Sequence, residues 1–218
     1  MGREIEIKIP LSDSQYASIK DFILGKAKLS DLKVASDKVE HIQKKDEYYS
    51  RYQSRQESKA AGEPQVIRIR NELYSPLGKS FVSTADSTGS VETTSIPRSF
   101  FCIKRKSLEN GIELNREDET FVENPEVIRD ILTISDYHKF FEKEKDALSA
   151  YCKAGEIIFH LELEIVNGLK YVEVEVTDEA VKADLVRAAL EDFIKLLGLD
   201  PLKKDSRSWM EILRGSQA

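Results

Sequence analysis

The chain opens on Arg3-Glu4-Ile5-Glu6-Ile7-Lys8-Ile9-Pro10, a strict alternation of charged and apolar side chains. Alternate side chains of a β-strand point to opposite faces. Glu4, Glu6 and Lys8 therefore share one face, and Ile5, Ile7 and Ile9 the other. The pattern recurs along the chain. Arg68 and Arg70 oppose Ile67 and Ile69, and Glu173 and Glu175 oppose Val172, Val174 and Val176. His160, Glu162 and Glu164 oppose Phe159, Leu161, Leu163 and Ile165. Lys104 shares a face with Lys106, and Lys143 with Lys145. Such strands need one apolar and one charged environment. An open sheet would turn its charges to water. A closed barrel would line its inside with them and carry helices on its apolar outside. Solvated faces also use Ser, Thr and Gln freely, and these faces are nearly pure charge, which favours the barrel. Charges inside it must be paired, because an isolated buried charge is costly.

The chain has 218 residues, the size of one domain spanning 1–218. Charged residues make up 33% and the formal net charge is −6, against a general nucleic-acid binder. No apolar run is long enough to cross a bilayer and no signal-peptide pattern opens the chain, so a membrane role is not expected. Cys102 and Cys152 stand in no metal-type spacing and read as reduced thiols, with the cytoplasm as the expected location.

Local signals place the elements. Ser12 and Gln15 form a capping box before a helix carrying Tyr16, Ile19, Phe22 and Ile23. Residues 51–64 read as a polar loop, and 75–99, rich in Ser, Thr, Gly and Pro, as a long loop. Asn110-Gly111 and Asn167-Gly168 are hairpin turns. Around the first, Arg116 and Asp118 share one strand face, Glu117 and Glu119 the other. Asn124-Pro125-Glu126 opens a short helix. Thr177-Asp178-Glu179 opens a longer one, with Val181, Leu185, Ala188, Ala189, Phe193, Leu196 and Leu197 as its buried stripe and Gly198 as its stop.

Arg and Lys in one cavity with carboxylates suit a polyanion accompanied by a hard divalent cation. Glu4-Ile5-Glu6-Ile7-Lys8 resembles the ExExK motif of the CYTH superfamily, the triphosphate tunnel metalloenzymes. Further stretches resemble the family in order. These are Asp46-Glu47-Tyr48-Tyr49, Arg68-Ile69-Arg70, Lys104 or Lys106, Glu142-Lys143-Glu144-Lys145, Glu162 with Glu164, and Gly168 to Glu175. Arg207-Ser208-Trp209 resembles the Arg-Ser-Tyr tail of the class IV adenylyl cyclase branch.

The resemblance implies an α+β fold, an eight-stranded antiparallel closed or nearly closed β-barrel with helices on its apolar outside. It implies Mg²⁺ or Mn²⁺ held by Glu4, Glu6, Glu162, Glu164, Glu173 and Glu175. It implies triphosphate binding by Arg68, Arg70, Lys104, Lys106, Arg116, Lys143 and Lys145. Lys8 is the candidate for activating a nucleophile, and Arg207 for pinning the tail or covering the tunnel mouth. His160 reads as structural and Trp209 as packing. The implied partner is ATP or another triphosphate, and a homodimer is compatible with the family. The implied reaction is conversion of ATP to cyclic AMP and pyrophosphate. The alternatives are hydrolysis of inorganic triphosphate, thiamine triphosphate or a nucleotide, and a non-catalytic polyphosphate-binding module.

Overall fold

The strand pattern closes a ring. The computed structural model describes residues 2–30, 32–34, 39–63, 65–77, 95–109, 112–176 and 183–215. Nine strands run as β1 (Gly2–Pro10), β2 (Lys33–Val34), β3 (Glu40–Ser50), β4 (Val66–Pro76), β5 (Ile96–Glu109), β6 (Ile112–Phe121), β7 (His138–Ala154), β8 (Ile157–Val166) and β9 (Leu169–Val176). The described residues also form the helices α1 (Asp13–Ile23), α2 (Arg55–Ala60), α3 (Pro125–Ile134), α4 (Ala183–Leu196) and α5 (Trp209–Gly215). The order of pairing is β7-β3-β4-β5-β6-β1-β9-β8, and β8 pairs back onto β7. Every pairing is antiparallel, and the short β2 pairs with the far end of β7. The protein is therefore an eight-stranded antiparallel barrel.

Register decides which faces meet. Directly opposed residues in an antiparallel pair point to the same side. Lys8 opposes Glu173, Glu173 opposes Glu162, Asp46 opposes both Arg70 and Lys143, and Lys44 opposes Lys145. The charged faces thus stack on the inside. The apolar faces point outward and are covered. Ile5, Ile7, Ile9, Leu161, Leu163, Val172 and Val174 pack in one core with Ile19 and Phe22 of α1 and Val186, Leu190, Phe193 and Ile194 of α4. Phe159 stacks on Phe193 at 4.2 Å between ring centroids. Each such fully buried aliphatic or aromatic side chain contributes about 1.5–3 kcal/mol. A smaller cluster joins Leu132 of α3 to Tyr49 and Ile69 on the opposite wall.

The local signals hold where they can be seen. Ser12 and Gln15 form the capping box, and the Asn124 side chain accepts from the Glu126 N–H with Pro125 in the first turn. Asn167 and Gly168 take φ of 48° and 86°, the left-handed pair that a two-residue hairpin turn requires. Asn110-Gly111 and Thr177-Asp178-Glu179 lie outside the described residues.

Three expectations are corrected. The loop read over 75–99 is shorter at both ends. β4 continues to Pro76 because Ser75 and Pro76 pair with His41 and Glu40, and β5 begins at Ile96, paired with Tyr74. Residues 78–94 lie outside the described set. The loop read over 51–64 contains α2, whose Ser54 cap accepts from the Glu57 N–H. The buried stripe of α4 is rotated. Val186, Leu190, Phe193, Ile194 and Leu197 face the barrel, while Leu185 and Leu196 are exposed. Two apolar rows satisfy the helical period, and contact with Phe159 and its neighbours selects one. Val181 lies outside the described residues.

Candidate active site

The ring turns most of the sequence-selected residues toward its inside. Glu6, Lys8, Arg68, Lys143, Lys145, Glu162 and Glu164 are buried there, and Arg70, Lys104, Glu173 and Glu175 are partly buried. Glu4 and Lys106 both oppose Asn115 in the backbone register, and their side chains lie outside the described residues. Arg116 is different. The β5–β6 register sets Lys104 against Glu117 and Arg105 against Arg116, so Arg116 points outward and is exposed. The inward face of β6 carries Glu117 and Glu119.

Three carboxylates converge on the β8–β9 side. Glu162, Glu164 and Glu173 offer oxygen atoms that all lie within 4.8 Å of one another. The Lys145 ammonium sits among them, 3.1 Å from Glu162 and 2.9 Å from Glu173, and against Glu164. Lys44 also contacts Glu162. Glu164 is wholly buried, and neither of its oxygens accepts a hydrogen bond. Burial, and then the Glu173 charge, push its pKa up to about 7, because one ammonium cannot neutralise three carboxylates. Lys145 and Lys44 are in contact with the three carboxylates, and Lys8 and Lys143 also act on Glu173. Oxygen donors in this number and spacing suit a hard dication such as Mg²⁺ or Mn²⁺.

The opposite wall is cationic, with its own internal anions. Arg70 grips Asp46 through two hydrogen bonds of 2.6 and 2.9 Å. Lys143 lies 3.5 Å from the same carboxylate, and Arg68 4.0 Å. Burial alone would raise the Asp46 pKa, but Arg70, Arg68 and Lys143 hold it well below the usual range. Burial lowers the Lys143 pKa, Asp46 opposes that, and Lys145 adds to it, bringing it down to about 7. Arg68 also donates to Glu117 and Glu119 at 3.3 Å each, and Lys104 lies 2.6 Å from Glu117. The Arg68 Nε is buried with no hydrogen-bond partner among the described residues.

The C-terminal segment reaches this interior. Trp209 packs edge-on against Tyr171 at 4.8 Å and donates its indole N–H to Glu173 at 2.9 Å. The Lys8 and Lys143 ammoniums lie 5.4 and 5.3 Å from the Trp209 ring centroid. Lys8 donates to the Arg207 carbonyl at 2.8 Å, while its own carbonyl accepts from the Asp205 N–H. The Arg207 side chain turns outward onto Asp205. Elsewhere in the lumen Glu175 is engaged by His160 at 2.6 Å, and His160 in turn meets the Ser149 hydroxyl at 2.8 Å. Burial would lower the His160 pKa, and the Glu175 bond and charge raise it instead.

Lys44, Asp46, Glu117 and Glu119 were not among the residues selected from sequence. Lys44 and Asp46 alternate on β3 as the other strands do, but a mixed pair of signs beside Lys45 and Glu47 hides the period. Nothing local in the sequence could announce that Trp209 would touch Glu173, since 36 residues separate them. A groove of about 840 Å³ is lined mainly by outward-pointing residues such as Gln43, Lys45, Asn71, Glu142 and Glu144, and does not reach Glu162, Glu164 or Glu173. No described helix is long and apolar enough to cross a membrane.

No family model and no curated protein matches the chain. Solved structures do. The PH1819 protein of Pyrococcus horikoshii OT3 superposes with a TM-score of 0.65 at 16% identity, covering 98% of this chain and 99% of that one. The PH1012 protein of the same organism gives 0.62 at 17%, covering 95% and 98%. A "putative adenylate cyclase" from Vibrio parahaemolyticus gives 0.59 at 16%, covering 98% of each chain. The chain shares the fold of these proteins, an eight-stranded antiparallel barrel with helices on its outside. In this tunnel the acidic group faces the Asp46-centred cations, and Trp209 packs beside both.

Proposed function

We propose that the protein is a divalent-metal-dependent enzyme that processes a triphosphate inside its tunnel. The observation that carries this reading is the pairing, in one lumen, of three convergent carboxylates with a wall of Arg68, Arg70, Lys104 and Lys143. Glu162, Glu164 and Glu173 would hold the cation, with Glu6 on the adjoining strand β1. Bound there, Mg²⁺ or Mn²⁺ would neutralise phosphate charge and polarise a phosphoryl oxygen.

The side chains of this tunnel do the rest. Arg68 and Arg70 offer planar forks to phosphate oxygens, and Lys104 and Lys143 offer compact charges. Together they fix the chain of phosphates and stabilise charge as it develops on the departing oxygen. Trp209 and the Lys8 contact with Arg207 hold the tail against the acidic group.

The finer reading is ATP cyclisation: the ribose 3′-hydroxyl attacks the α-phosphorus, the P–O bond to the pyrophosphate breaks, and the hydroxyl proton leaves to a base. The Vibrio fold relative and the tail resemblance support it. Product analysis tests it. The purified chain is incubated with ATP, tripolyphosphate or thiamine triphosphate and Mg²⁺ or Mn²⁺, and products are read by phosphorus NMR. Cyclic AMP plus pyrophosphate is expected from ATP, with Glu162→Gln and Glu173→Gln lowering the rate on the order of a hundredfold or more. Inorganic phosphate without cyclic AMP would replace cyclisation by hydrolysis. No turnover of any triphosphate would overturn the enzyme reading.

A further inference from the structure

The position of Lys145 is unusual for a phosphate ligand. Its ammonium faces away from the cationic wall and into the carboxylates, within 3.1 Å of Glu162 and 2.9 Å of Glu173, and against Glu164. It occupies the centre of the only all-carboxylate group of metal-binding geometry among the described residues. Its side chain is 4% exposed.

We propose that Lys145 is an internal stand-in for the metal: it fills the place of a dication between Glu162, Glu164 and Glu173, and a bound dication displaces it toward the polyphosphate. The proposal rests on the triphosphate reading for the destination of Lys145, but not for its displacement. Charge explains both halves. Counting only the ammoniums in direct contact, three ionised carboxylates exceed Lys145 and Lys44 by one negative charge. With a dication in place of Lys145, and Lys44 still on Glu162, they retain none. An ammonium and a dication cannot share the centre, since both need the same oxygens and repel one another.

The displaced ammonium leaves its three carboxylate partners. β7 carries Lys143 on the same face, next to Arg70 and Asp46, so Lys145 would add to a wall already rich in cations. That arrangement is unfavourable until an anion arrives. Metal and polyphosphate therefore bind with positive coupling, and each raises the affinity of the other by the same factor. Either ligand alone therefore binds more weakly than the two together.

Trp209 supplies the readout. It is the only Trp of the chain, and its indole N–H is bonded to Glu173. Quenching of its fluorescence by Mn²⁺, in the full-length protein, reports occupancy of the carboxylates without any turnover. Wild type is titrated with Mn²⁺ alone, with sodium tripolyphosphate alone, and with both, beside Lys145→Met and Lys145→Gln. The glutamine keeps a hydrogen-bond donor for Glu173 should the methionine variant fail to fold. Mn²⁺ alone is expected to bind either variant at least about tenfold more tightly than wild type, and tripolyphosphate to raise wild-type Mn²⁺ affinity by a similar factor. Variants that bind Mn²⁺ no more tightly than wild type would overturn the displacement. Wild type that takes up Mn²⁺ but shows no tripolyphosphate binding in its presence would overturn the triphosphate reading, while the comparison of variants still judges Lys145.

Discussion

Asp46 shows how much a single residue can hold in this interior. It is 1% exposed and accepts two hydrogen bonds from Arg70, with Lys143 and Arg68 close behind. Removing its charge strands buried cations, and breaking such a pair costs about 3–5 kcal/mol. Asp46→Asn is therefore expected to unfold at clearly lower urea, and tripolyphosphate, as a replacement anion, to recover most of the loss. Urea titration with and without the anion decides this; a variant as stable as wild type would show that Asp46 is not the counter-ion of the wall. Glu117 gives a pH test. Burial alone would raise its pKa, but Lys104 and Arg68 outweigh burial and hold it down to about 2. A carboxyl depressed on folding contributes stability that is complete above its unfolded pKa of about 4.5 and is lost as pH falls toward 2. Glu117→Gln should lower the melting temperature at pH 7 and shrink the difference from wild type as pH falls from about 4.5 to 2.

At the scale of elements, the strands were more legible than the helices. A period of two survives any tertiary context in which one face is buried, so β1, β4, β8 and β9 announced both themselves and their lumen residues. β6 shows where that stops. Arg116 and Glu117 alternate, and only the register against β5 settles which of them faces inward. In α4 the apolar residues fill more than one stripe, and the barrel's own surface picks Val186, Leu190 and Phe193 over Leu185. Phe193→Ala, which removes the ring stacked on Phe159, should cost about 3–5 kcal/mol, whereas Leu185→Ala should stay within about 0.5 kcal/mol. Equal losses at both positions would put the helix in the other orientation. α5 was legible only as a tail motif. Its role depends on Trp209 meeting Tyr171 and Glu173, a contact that belongs to three-dimensional closure and has no local signature.

For the whole molecule, closure hides both thiols. Cys102 and Cys152 are each 0% exposed, and burial pushes each thiol up to about 12. Neither should react with a thiol reagent at pH 8 in the native state, and both should react in denaturant, so that native labelling rates follow opening of the barrel. Fast labelling of one of them in buffer would locate a wall that opens by itself. Closure also has an order in time. β1 is made before both of its ladder partners, Glu113 to Glu117 of β6 and Tyr171 to Val176 of β9, the nearer more than a hundred residues downstream. At about 5–20 residues per second, a ribosome takes at least about 5 s to supply even the first of them. Throughout that interval the nascent strand carries Ile5, Ile7 and Ile9 with no ladder to join. Glu4, Glu6 and Lys8 interleave them with charge, as gatekeepers do beside aggregation-prone segments. The residues that later face the tunnel thus protect this early-made strand from its neighbours on the polysome.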